Sequence, residues 1–137
     1  MRLPNRIRQS PSELNAMPYM LLVVEQPNER KDAGRDEGER RYERMLKFAG
    51  DLQKRGLLIR TESLLSPEIE STRIRKRAGK ATVVDGPFAE AKEVLGGFFL
   101  LDCDTFEEAV AIANDCPAAE WSTLEVRGLG PCFVEAQ

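Results

Sequence analysis

Two unbroken apolar runs, Tyr19-Met20-Leu21-Leu22-Val23-Val24 and Phe98-Phe99-Leu100-Leu101, limit most what this chain can fold into. Each is far shorter than the roughly 20 apolar residues of a membrane helix. Neither alternates with polar positions, as a strand with one wet face does. They read as strands covered on both faces. The chain has 137 residues, enough for one core and too few for two ordinary ones, so the remaining segments must supply what lies on each face.

From Glu39 to Arg55, Tyr42, Met45, Leu46, Ala49 and Leu52 recur at helical spacing, Lys54 and Arg55 close the last turn, and Gly56 suits a C-terminal cap. These apolar positions are expected in the core. The preceding segment, Gln26 to Gly38, holds Pro27, Asn28, Gly34 and a run of charges and reads as a solvated loop. Thr105 with Glu108 matches a capping box that opens a second helix, with a stripe of Phe106, Ala109, Val110 and Ala113, ending near Cys116-Pro117. Leu57 to Leu65 and Ser122 to Arg127 add strands, and Thr72 to Arg77 turns at Ala78-Gly79-Lys80 into Ala81 to Val84, a hairpin with a basic face.

The order β-α-β, hairpin, β-α-β predicts an α+β domain: a ferredoxin-like antiparallel sheet with two helices on one face and an inserted β-hairpin. Two helices cover one face only. An apolar second face calls for a partner, so a homodimer packed sheet against sheet is expected, with Phe99 or Leu101 turned toward the second copy.

Lys and Arg number 20 against 23 Asp and Glu, a net charge of -3, which argues against nucleic acid and anionic membrane as partners. Cys103, Cys116 and Cys132 are odd in number and lack CxxC spacing, and no hydrophobic signal segment precedes them. That pattern leads us to expect a cytoplasmic protein with neither a disulfide framework nor a zinc site. Gly96-Gly97 has no phosphate-loop frame, so no cofactor is called for. The chain has no histidine, which removes Ser-His-Asp and Cys-His activation and leaves acid-base work to a carboxyl, Lys, Tyr or Cys with a shifted pKa, or to a cofactor or partner. Residues 1–16 mix Pro, Asn, Ser and Arg without an apolar period. They are expected to be a disordered or non-native lead before a single domain over 17–137, with Met17 an alternative start.

The run Asp85-Gly86-Pro87-Phe88-Ala89-Glu90-Ala91-Lys92-Glu93 resembles the signature of the DGPF-motif (DGPFAETKE) proteins of the YCII-related family, with Ala91 where Thr is usual. The likeness extends through Met20 to Glu25, Gly56 to Leu64, Thr72 to Arg75 and Trp121 to Arg127, most of the chain from about Met17 onward. It implies a dimeric α+β barrel with a cleft in each subunit, a small-molecule-binding protein or enzyme, or alternatively a regulatory protein tied to alternative sigma factors. It also implies that Asp85 is a general acid or base, a role thought to be shared in relatives with a histidine that this chain lacks.

The residues themselves leave Asp85 two readings. Its carboxyl either stands at the mouth of an apolar cleft, where burial raises its pKa, or closes an Asx turn at Gly86-Pro87. Pro87 and Phe88 line a cleft or simply build the corner. Arg73, Arg75 and Arg77 share one side of the hairpin and either receive a small anionic ligand or face solvent. Tyr19 and Trp121 supply aromatic walls or ordinary packing.

Overall fold

A computed structural model describes residues 18–133, so the expected lead over 1–16 lies outside the described residues. The strands are β1 (Tyr19–Glu25), β2 (Leu58–Ser63), β3 (Thr72–Arg77), β4 (Lys80–Asp85), β5 (Val94–Leu101) and β6 (Thr123–Gly128). The helices are α1 (Glu29–Lys54) and α2 (Phe106–Asn114), and a short 3-10 turn spans Pro117–Glu120. Four strands form one antiparallel sheet in the order β2-β5-β1-β6, while β3 and β4 pair separately as a hairpin. The fold is α+β, and among the described residues the sheet is open, with no closed barrel.

The two apolar runs form the central pair, β1 against β5, with Leu21 opposite Phe99 and Leu22 opposite Phe98. Successive side chains leave opposite faces. Leu21, Val23, Phe99 and Leu101 therefore point to one side, where they join Phe48 and Leu52 of α1 and Ala109, Ile112 and Ala113 of α2 in one buried cluster. The rings of Phe48 and Phe99 meet edge-on at 5.3 Å. Phe99 and Leu101 thus belong to the core, not to a partner. The far side carries Met20, Leu22, Val24, Phe98 and Leu100, all partly buried. It is flanked by Arg60 and Glu62 of β2 and by Thr123, Glu125 and Arg127 of β6.

Of the expected loop over 26–38, only 26–28 lies outside a helix; from Glu29 on it is the start of α1, broken once at Gly34, whose φ of 82° is open to glycine. No apolar stripe builds this half. Ion pairs do, Arg35 with Glu39 and Arg40 and Arg41 with Glu37, together with Arg30, described below. At the other end, Gly56 N–H donates to Gln53 O and Leu57 N–H to Leu52 O, the paired bonds of a Schellman cap. Tyr42 and Leu46, expected in the core, are 56% and 53% exposed, and Phe48 fills the buried position instead. At α2, Thr105 accepts from Glu108 N–H as the spacing predicts, while the Glu108 carboxylate reaches back to Asp104 N–H.

Candidate functional site

At the end of the sheet where β1 stops and β5 begins, Arg30 makes four hydrogen bonds. Its Nε and Nη2 donate to the two Glu25 carboxylate oxygens at 2.9 Å each, Nη1 donates to Leu64 O at 2.6 Å, and Nη2 also reaches Gly96 O at 3.0 Å. The glycine pair makes this packing feasible. A Cβ at Gly96 would lie 1.8 Å from Glu25 Oε2, and one at Gly97 would lie 2.8 Å from the Glu62 carbonyl of β2. This knot pins the start of α1 to the sheet and frames one end of a cleft.

The cleft, about 940 Å³, lies between α1 and the inner sheet face. Val23, Phe99, Met45 and Ala49 give it an apolar floor, Tyr42 and Leu46 line its α1 side, and Trp121 and Ser122 stand at its far side. Glu25, Glu29, Arg30, Lys31, Arg35 and Arg41 supply charge. Ser122 Oγ donates to the Glu29 carboxylate at 3.1 Å. Arg41 and Arg44, three residues apart on α1, hold their guanidinium carbons 5.1 and 5.3 Å from the Trp121 ring centre. Arg44 also pairs with Glu120, which lowers the Glu120 carboxyl and raises the guanidinium.

The residues singled out in the sequence lie elsewhere. Asp85 closes β4 opposite Thr72 and is exposed. Gly86 N–H donates to Ser71 O at 2.9 Å, and a Cβ there would meet Ser71 Oγ at 2.2 Å and Pro67 O at 2.6 Å, so only glycine fits against that loop. The Gly86-Pro87 peptide is cis. The Arg73 guanidinium lies 3.9 Å from the Phe88 ring centre. The structure therefore brings Arg73, Gly86, Pro87 and Phe88 together at the foot of the hairpin. Every residue of β3 and β4 is exposed, with Arg73, Arg75 and Arg77 along one face and Ile74 and Val83 paired on the other.

Tyr19 is not part of that group. It pairs with Leu101 and Gly128 at the opposite end of β1, roughly 20 Å along the strand from Glu25, and meets Phe106 edge-on. Trp121 does line the cleft. Arg41, Arg30 and Glu25 went unnoticed in the sequence, because they sit in an undistinguished run of charge and at a strand end. Among the described residues no group of three or more His, Cys, Asp and Glu gathers to hold a metal, and no helix is long and apolar enough to cross a membrane.

A model of the YCII-related domain matches residues 17–131. An uncharacterised protein of Rhizobium meliloti (strain 1021) is 46% identical over 67 residues, an alignment covering 47% of this chain and 54% of that protein. The chain thus spans about half the length of that relative.

Proposed function

The chain belongs to the YCII-related domain family, and from that premise we propose that it is a small-molecule-binding protein that works as a homodimer, with its ligand held beneath α1. The cleft between α1 and the sheet carries this reading: an apolar floor, a few fixed polar groups and a volume in the range of small-molecule sites. With the hairpin set aside, the strand order β2-β5-β1-β6 supports a ferredoxin-like arrangement whose outer face is shared with a second copy. Gly38 lines the cleft, and a Cβ there meets nothing within 4 Å. A neutral apolar dye such as Nile red should bind wild type saturably. Gly38→Trp should abolish that binding without lowering Tm, since the indole fills open space. Undiminished dye binding to the variant would remove the cleft from consideration.

The fully exposed hairpin favours a second site at its foot. In this reading the DGPF corner is completed by the partner subunit, Asp85 acts there as acid or base, and Arg73 and Arg75 receive an anionic group. Asp85→Asn should then keep Tm while weakening binding or turnover. An Asp85→Ala variant that merely loses about 1 kcal/mol of stability would leave Asp85 a turn former.

A further inference from the structure

The charge of the occupant is written in the same cleft. Among the described residues, Nε of Arg41 is the buried side-chain nitrogen or oxygen that lacks a hydrogen bond. Buried donors are nearly always paired, so an orphan marks a place where an acceptor belongs. The neighbours do not supply one. Arg30, another guanidinium of the cleft, commits four of its five N–H donors to Glu25 and two carbonyls. Glu37 stands 3.4 Å from Arg41 Nε without forming a hydrogen bond and is held by two bonds from Arg40. The Arg41 guanidinium carbon lies over the Trp121 ring, 5.1 Å from its centre.

Resting on the binding reading above, we infer that the occupant is a small monocarboxylate with an apolar, aryl-sized body, its carboxylate accepting from Arg41 and its body lying over Val23, Met45 and Phe99. A guanidinium presents planar, paired donors that match a carboxylate edge. Arg30, Lys31, Arg35 and Arg41 line the cleft against the acidic side chains of Glu25 and Glu29, a net positive lining that suits an anion.

The test titrates cinnamate, its neutral amide cinnamamide, and phenyl phosphate into the full chain by calorimetry. Cinnamate should bind about tenfold or more tighter than cinnamamide, the worth of one charge-assisted hydrogen bond. In Arg41→Gln that advantage should vanish while the variant still folds and still binds the amide. Equal binding of acid and amide to wild type overturns the carboxylate inference and leaves the cleft reading standing. Tighter binding of phenyl phosphate, or a preference for cinnamate that survives Arg41→Gln, also overturns it. Failure of both cinnamate and cinnamamide to bind, together with dye binding that ignores Gly38→Trp, sinks both readings.

Discussion

Burial pushes the Cys116 thiol up to about 11, and Cys103 also rises, first through burial and then through the nearby Glu108, Asp104 and Asp102 carboxylates. Both sulfurs sit in the core, Cys116 beside the Met45 sulfur at 3.9 Å, whereas Cys132 is exposed. A thiol whose folded pKa exceeds its unfolded one binds more protons in the folded state as pH rises. Its stabilising contribution is therefore whole below the ordinary thiol pKa and is lost as pH climbs through the folded value. For Cys116 the loss is on the order of 3 kcal/mol between the ordinary thiol pKa near 9 and about 11. Cys116→Ala should flatten the fall of Tm across that window relative to wild type, and identical slopes would contradict the assignment. Under native conditions near pH 8, alkylation should stop at Cys132. None of this is visible in the odd count and spacing of the cysteines, because burial belongs to the tertiary structure.

α1 shows where pattern reading succeeds and where it fails. Its C-terminal half was legible: Met45, Ala49 and Leu52 recur at helical spacing, and Gly56 supplies the cap. Its N-terminal half was not, since residues 29–38 carry charge, Gly34 and Gly38 in place of a stripe. That half is helical because Arg30 ties it to Glu25, Leu64 O and Gly96 O and because ion pairs run along it, contacts that join residues up to 66 positions apart. Exposed pairs alone contribute little, so the Arg30 knot is the main restraint. Arg30→Met should release it. Hydrogen exchange should then show faster amides over 29–33 while those over 48–54, backed by Phe48 and Leu52, keep their protection. Uniform protection in the variant would show that the knot is ornamental. The cleft was illegible for the same reason: Glu25, Arg41, Thr61, Gly97 and Trp121 come from five elements or connections, and only the fold makes them neighbours.

At the scale of the molecule, the question is what covers the outer face of the sheet. Met20, Leu22, Val24, Phe98 and Leu100 form an apolar band across its two central strands, bordered by charged and polar residues of β2 and β6. The helices lie on the opposite side with the core. An apolar centre within a polar rim is the anatomy of an interface, and a second copy offers the same surface to itself. The sequence had already placed apolar residues on both faces of β1 and β5, but it turned Phe99 or Leu101 toward the second copy, where the structure buries both in the core and leaves Phe98 and Leu100 outward. That choice rests on register. These neighbours now give opposite expectations. Phe99→Ala removes a ring packed on Phe48 and should cost about 3–5 kcal/mol of stability with little change of assembly in what remains folded. Leu22→Lys, on the outer face opposite Phe98 and Glu125, should leave the folded chain intact and split the dimer, since an unpaired charge buried between two sheets costs several kcal/mol. Light scattering reads the outcome directly. Wild type should run at twice the chain mass of 15.4 kDa and Leu22→Lys at the chain mass itself. A wild-type mass of 15.4 kDa at every concentration would leave the outer face without a second copy and end the homodimer reading.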